Sequence, residues 1–192
     1  METTEKIVES YCRYVKGWFT IPNIKCKGQY EIDLLAVDIA DPEGIKRYHI
    51  ECGVSTSGPF SKLTDKQFSA VELKKRVSMP GQRRTIGYFS DRKFGQEEVL
   101  DKLSEYGFEF HRDSDGKVHA DNYHKIIVTW GWTEKAKQLA DEKGIVLWDF
   151  RTILREIAGA FRSKKTYFTD DTLRTIQLFA KSVDEGQKTR RA

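Results

Sequence analysis

Two short segments in the first third of the chain combine apolar side chains with acids, residues 31–38 (EIDLLAVD) and residues 48–55 (YHIECGVS). Both are short and rich in apolar and β-branched residues, and the turn-forming residues 41–44 (DPEG) lie between them. The pattern therefore predicts two β-strands. Side chains alternate along a strand, so pairing of the strands as a hairpin would allow Asp33 and Glu51 to meet on one surface.

Apolar positions elsewhere recur at helical spacing or form short continuous runs, and they predict the remaining elements. Helices are predicted over about residues 4–16, from 61 or 64 to 77, and over 96–106, 134–143, 151–161 and 170–183, and further strands over about 18–26, 85–89, 126–130 and 145–148. The strand–helix–strand order near the end of the chain requires a parallel pair. The pattern as a whole predicts an α/β fold with a mixed central β-sheet flanked by helices.

Length and composition narrow the class of protein. The 192 residues fit one domain, predicted over residues 1–162, with a C-terminal helix and a basic tail over 163–192 that is disordered from Asp184. With 39% hydrophobic and 32% charged residues, global disorder is not expected. No apolar run is long enough to cross a bilayer, so no membrane partner is expected. The three cysteines lack metal-ligand spacing and indicate a reducing, cytoplasmic setting.

The acids inside the strands need compensation, because a carboxylate in an apolar strand is costly without a partner. A divalent cation would compensate Asp33 and Glu51, since hard cations prefer carboxylate oxygens. A nearby lysine or arginine, or an exposed strand end, would serve Asp33 as well. Two other acids, Glu5 and Glu9, lie in the first predicted helix, where glutamate near the start usually stabilises the helix dipole.

These segments, taken in order, resemble a known superfamily. A helix with an early glutamate, then GQYEIDLLAVD, then YHIECGVS, then IIVTWGWTEKAKQLADEKGIVLWDFRTILREI resembles the PD-(D/E)XK, or restriction-endonuclease-like, superfamily. The last segment is most similar to Mrr-type restriction endonuclease domains, and the first part also resembles archaeal Holliday junction resolvases. The resemblance spans roughly residues 4–160, with an insertion at about 58–122.

The resemblance implies a restriction-endonuclease-like fold and a metal-dependent nuclease that hydrolyses DNA phosphodiester bonds. Asp33 and Glu51 would hold Mg²⁺ or Mn²⁺, the backbone carbonyl of Cys52 would complete the shell, and Glu5 or Glu9 would add a carboxylate. Two carboxylates suit magnesium, which keeps several waters and accepts phosphate oxygens as ligands. The resemblance implies DNA as the partner. It is also compatible with a homodimer.

One position departs from the family pattern. The family places a lysine two residues after the glutamate, and here that residue is Gly53. Either a lysine has migrated onto the same space from the next helix, where Lys62 and Lys66 are the candidates, or the chain is a catalytically inactive relative that binds nucleic acid or a protein partner. His49 shares a strand face with Glu51 and is either a base, an outer ligand or a hydrogen-bonded bystander.

Basic and aromatic residues supply the candidates for nucleic-acid contact. The mild net charge of +4 permits such binding without requiring it. The densest basic cluster consists of Lys74, Lys75, Arg76, Arg83 and Arg84, and Arg92-Lys93, Lys164-Lys165 and residues 188–191 are secondary. Each group either contacts phosphate or is a solvated face. Trp130 and Trp132 either stack on bases or pack in the core.

Overall fold

The structure is a computed structural model that describes residues 2–56, 61–74, 81, 83–112, 114, 118–120, 122–162 and 168–189. The strands in this part of the chain are β1 Phe19–Lys25, β2 Glu31–Asp38, β3 Lys46–Gly53, β4 His111–Arg112, β5 Val118–His119, β6 Tyr123–Thr129 and β7 Ile145–Asp149. Five of them form one sheet in the order β1-β2-β3-β6-β7, and β4 pairs with β5 separately. The pairs β1–β2 and β2–β3 are antiparallel, whereas β3–β6 and β6–β7 are parallel.

Helices flank this sheet and carry the side chains that cover it. They are α1 Thr3–Tyr11, continued by a π-helical turn over Cys12–Lys16, α2 Ala70–Leu73, α3 Ile86–Tyr88, continued by a π-helical turn over Phe89–Phe94, α4 Glu97–Ser104, α5 Glu134–Glu142, α6 Phe150–Arg162 and α7 Asp171–Thr189. The predicted α/β class with a mixed sheet flanked by helices is confirmed. None of the helices in the described ranges is both long enough and apolar enough to cross a bilayer.

The sheet is buried on both faces. Helices α1, α6 and α7 pack on one face, over Ile50, Ile126 and Val128. Side chains of α3 and α5 cover the other face, over Ile127. Strand β6 therefore contributes to both cores, which explains why residues 126–130 form a continuous apolar run rather than an alternating one.

The segment predicted as a strand over residues 85–89 is helical instead. Thr85 caps α3, because its side-chain oxygen accepts the backbone N–H of Tyr88 at 3.0 Å. Ile86 and Phe89, three positions apart, are then both buried on one side of the helix. The apolar run at 85–89 was thus misread because a short run does not distinguish a strand from a buried helix.

The predicted helix over residues 61–77 is also wrong at its start. Among the described residues of that range, only α2 is helical. Leu63 is extended and pairs with the segment after β6, since its N–H donates to Gly131 O at 2.8 Å and its carbonyl accepts the N–H of Thr133 at 3.0 Å. At the other end of the chain, α7 extends to Thr189, beyond the helix end predicted at about residue 183.

The packing predicts which phenylalanine contributes most to the free energy of unfolding. Phe161 is fully buried, and its ring lies 4.5 Å from that of Phe168. We expect Phe161→Ala to lower the free energy of unfolding by about 3–5 kcal/mol. The matched control is Phe179→Ala in α7, whose side chain is 70% exposed and whose loss should change stability by about 0.5 kcal/mol or less. Urea unfolding followed by circular dichroism measures both, and equal losses would contradict this core.

Candidate active site

Asp33 and Glu51 lie side by side near the start of β2 and the end of β3. The antiparallel register pairs Leu34 with Ile50. Asp33 precedes Leu34 in β2 and Glu51 follows Ile50 in β3, so the two acids are neighbours across the strands. The backbone N–H of Asp33 donates to Glu51 Oε1 at 3.4 Å, and the backbone N–H of Cys52 donates to Asp33 Oδ2 at 2.8 Å. The structure therefore brings together the two acids that the sequence singled out.

The neighbouring strand is distorted beside Asp33. The register of β1 with β2 runs through Pro22–Leu34 and Ile24–Ile32 but contains no pair between Asn23 and Asp33. Asn23 has a φ of 53°, in the left-handed region that asparagine tolerates better than most residues. Backbone of this kind is often found at functional sites, and here it lies next to one of the two acids.

Lys93 is the third member of the site, and it comes from the π-helical turn after α3. Its ammonium nitrogen lies 2.5 Å from Glu51 Oε2 and 3.2 Å from Asp33 Oδ1, and it donates to the carbonyl of Glu31 at 3.1 Å. The exposed fractions are 0% for the Glu51 side chain, 13% for Asp33 and 20% for Lys93. One buried ammonium group therefore contacts both carboxylates.

Gly53 allows the turn that carries Lys93 to approach β3 closely. A Cβ atom at position 53 would lie 2.7 Å from Cζ of Phe89, closer than real Cβ contacts. Phe89 begins the same π-helical turn that carries Lys93. The glycine lets this turn pack against β3, and the turn then places its lysine beside the two acids.

Lys62 and Lys66, the lysines expected to replace the missing one, lie elsewhere. Both are exposed. Lys62 lines a separate cleft of about 520 Å³ together with Ser61, Trp130, Gly131, Trp132 and Arg151. The expectation failed because it assumed a helix from residue 61, whereas the chain there is extended. Lys93 appeared in the sequence only as part of a secondary basic pair, and no local pattern indicates that it is buried.

His49 holds Glu51 from within the core. This residue is fully buried, with Nε2 2.7 Å from Glu51 Oε1 and Nδ1 2.9 Å from the hydroxyl of Tyr123. Burial, followed by the charge of Lys93, lowers the pKa of His49 to about 3, so the imidazole is neutral at pH 7. A neutral imidazole has one N–H, and these partners assign it to Nε2, donating to Glu51, while Tyr123 donates to Nδ1.

The environment of the site disfavours negative charge. Burial raises the pKa of Asp33 to about 7, and the charge of Glu51 adds to the rise. Burial likewise raises the pKa of Glu51. For Lys93, burial acts to lower the pKa of the ammonium group, but the charges of Glu51 and Asp33 outweigh it and raise the pKa above its ordinary value. The lysine stays charged, and further positive charge between the two acids would be stabilised.

The remaining acids differ in their distance from the site. Burial raises the pKa of Glu5, and the charge of Asp33 also contributes, so the two carboxyls are close enough to interact. Glu5 Oε2 also accepts the backbone N–H of Glu2 in the cap of α1. Glu9 instead contacts Thr20 at 3.1 Å and Arg13 at 3.7 Å. Glu5 is therefore the better placed of the two.

The predicted basic cluster separates into surface and internal residues. Lys74 and Arg83 are exposed. Arg84 is partly buried, and its guanidinium donates to the carbonyls of Gly53 and Val54, the latter at 3.2 Å. These bonds fix the end of β3, and phosphate contact by Arg84 stays a prediction. Lys75 and Arg76 lie outside the described residues.

The donor set fits a hard divalent cation with two side-chain ligands. Glu51 Oε2 is buried and accepts no hydrogen bond of regular geometry from the described residues, although the Lys93 ammonium pairs with it. In the same ranges, no group of three or more His, Cys, Asp or Glu side chains is arranged to hold a metal. Two carboxylates supplemented by water suit Mg²⁺ or Mn²⁺ better than Zn²⁺. Such an ion requires Lys93 to withdraw from between the acids, and the Cys52 carbonyl stays a predicted ligand.

Replacing Lys93 tests how much its ammonium group contributes to the stability of the fold. We expect Lys93→Gln to lower the free energy of unfolding at neutral pH by about 3–5 kcal/mol, because Asp33 and Glu51 lose their counter-charge. Lys25→Gln removes the lysine of a surface pair with Glu31, in which Lys25 is 74% exposed, and should have little effect. Thermal and urea unfolding compare the variants, and similar losses would contradict the assigned pairing.

The raised pKa of Asp33 predicts a pH-dependent stability in metal-free buffer. The protonated carboxyl is favoured in the folded state, so its contribution is present below the ordinary pKa of 3.8 and is lost as the pH rises towards about 7. Asp33→Asn mimics the protonated form. Its stability relative to the natural protein should therefore increase between pH 4 and pH 7 by on the order of 2 kcal/mol. Urea unfolding with EDTA measures the difference, and a pH-independent result would refute it.

Comparison with known proteins adds little to this geometry. No protein-family model matches the chain, and none of the curated proteins compared with it is a significant match. A solved structure described as "Protein of Unknown Function AF1548" aligns with 96% of this chain and 100% of that chain, at 15% identity and a TM-score of 0.44. Likeness at that level carries no argument about function.

Proposed function

We propose that this protein is a metal-dependent nuclease that hydrolyses DNA phosphodiester bonds. The observation that supports the proposal best is the convergence of Asp33 Oδ1 and Glu51 Oε2 on the ammonium group of Lys93. Two carboxylates and a lysine are the side chains that the PD-(D/E)XK resemblance requires. The lysine is absent from its usual place in the sequence, and Lys93 supplies one in space.

Each member of the site has a distinct role in this proposal. Asp33 and Glu51 would hold Mg²⁺, which lowers the pKa of an attacking water and neutralises charge on the phosphate. Lys93, displaced from between the acids, donates hydrogen bonds to the water or to a phosphate oxygen. The water oxygen would bond to phosphorus as the water releases one proton to solvent, the bond from phosphorus to the leaving sugar oxygen would break, and that oxygen would take up a proton from solvent. His49 keeps Glu51 Oε1 occupied, so Oε2 stays directed to the reacting centre.

A catalytically inactive relative that binds nucleic acid or a protein partner is the second candidate. The close contact of 2.5 Å between Lys93 and Glu51 favours it, because an ammonium held in that place compensates the buried acids without any metal. In that case the three residues form a structural cluster of one ammonium group and two carboxylates, and the surface, rather than the site, carries the function.

A cleavage assay distinguishes the two candidates. Linear duplex, branched and single-stranded DNA are incubated with Mg²⁺, Mn²⁺ or EDTA. We expect cleavage only with metal, and a loss of at least about 100-fold in Asp33→Asn, Glu51→Gln and Lys93→Gln, because each removes a group that acts on the reacting phosphate. Lys62→Gln and Lys66→Gln, which change exposed lysines outside the site, serve as controls.

The outcome is interpretable only for folded variants, so circular dichroism and thermal unfolding accompany the assay. Metal-dependent cleavage that survives in Lys93→Gln would remove the lysine from the mechanism. Intact DNA under every condition, with binding that weakens steeply as salt increases, would favour the inactive relative.

A further inference from the structure

A second cleft adjoins the candidate active site. One wall consists of residues 28–31, at the turn into β2, and the other includes Arg83, Tyr88, Arg92 and Lys93. Its volume is about 370 Å³, within the range of small-ligand sites and larger than a bare phosphate ion needs. The cleft therefore has room for part of a nucleotide.

The two arginines give the cleft an excess of positive charge. Arg83, Arg92 and Lys93 line it together with one acid, Glu31, and the ammonium group of Lys93 already faces the two site acids. The carboxylate of Glu31 is already paired with the ammonium of Lys25 at 2.6 Å. A concave surface with this excess of positive charge attracts anions, and guanidinium groups match the geometry of phosphate oxygens.

Two of the three cationic groups, Arg92 and Lys93, are held in place before any ligand arrives. The guanidinium carbon of Arg92 lies 5.1 Å from the centre of the Tyr30 ring, in a cation–π contact that restricts the side chain. Lys93 is fixed by the carbonyl of Glu31 and by the two site acids. Preorganised groups lose less conformational freedom on binding, which favours a specific anion site over a merely charged surface.

Lys93 belongs both to this cleft and to the Asp33–Glu51 site, so the two are contiguous. A nucleic-acid strand carries one phosphate per nucleotide, and a strand with one phosphate at the acids must place its neighbour close by. We propose that the cleft binds the backbone phosphate next to the one that is cleaved, through Arg83 and Arg92. The inference rests on the proposed nuclease function for the identity of the strand.

The test measures binding without cleavage. Fluorescence anisotropy of a labelled single-stranded oligonucleotide in EDTA gives the affinity at several salt concentrations. Arg92→Gln and Arg83→Gln should each weaken binding about five- to tenfold and reduce the slope of log affinity against log salt by about 0.7 per lost phosphate contact. Arg155→Gln, an exposed arginine on α6, is the matched control and should leave both quantities unchanged.

Further arms separate the source of the phosphate and guard against misfolding. Arg92→Lys keeps the charge, so it should retain the salt slope. Inorganic phosphate is added as a competitor, and it should displace the oligonucleotide only at millimolar concentration. Tight binding of inorganic phosphate with no binding of the oligonucleotide would overturn the assignment to a backbone phosphate.

Other outcomes also decide the proposal. Unchanged affinity in both arginine variants, or weaker binding with an unchanged salt slope, would show that the cleft does not contact phosphate. Arginine-dependent binding without any cleavage by Mg²⁺ or Mn²⁺ would leave the cleft in place and refute the nuclease function. Cleavage of DNA together with binding that does not depend on the two arginines would support the nuclease function and refute phosphate binding in the cleft.

Discussion

The pairing of one ammonium group with two buried carboxylates is the constraint on which this site depends. Asp33 and Glu51 lie at the end of an apolar hairpin, where charge is costly without compensation. Lys93 provides that compensation, but only because the turn after α3 packs directly on β3. Gly53 permits this packing, since any larger residue would collide with Phe89. Gly53 and Lys93 are therefore two parts of one arrangement.

The same arrangement relates stability to function. A buried ion pair is weak evidence of net stability, because the desolvation of three charged groups offsets most of their attraction. Glu51 is oriented by His49 and Tyr123 on one oxygen and faces the cation on the other. Each oxygen of this buried carboxylate therefore has a partner, as a buried polar group requires.

Much of the fold could be predicted from the sequence, because strong local patterns determine it. Strand β2 has the predicted bounds, and the strand–helix–strand unit from β6 to β7 follows from its apolar runs and from Thr133, which caps α5 as expected. The prediction of a strand at 85–89 was wrong, because a short apolar run does not distinguish a strand from a short helix. Here Thr85 caps the helix by accepting the backbone N–H of Tyr88. The two site acids were found because their polarity contradicts the strands around them.

Lys93 could not be found in the same way. It lies 60 residues from Asp33 in the chain, and only tertiary packing brings the two together. Its neighbour Arg92 makes the pair look like an ordinary solvated face, although one cation enters the site and the other lines the adjoining cleft. Sequence order suggested a replacement lysine in the next predicted helix, but the chain there is extended, and Lys62 and Lys66 are exposed.

The most direct test of the account is an anomalous-diffraction measurement on crystals of the protein grown with Mn²⁺. If the site binds metal as proposed, one manganese ion is bound by Asp33 Oδ1 and Glu51 Oε2 at about 2.0–2.3 Å, with the Lys93 ammonium displaced from between them towards the adjoining cleft. A structure in which Lys93 still contacts both carboxylates, with no manganese at the acids, would contradict it.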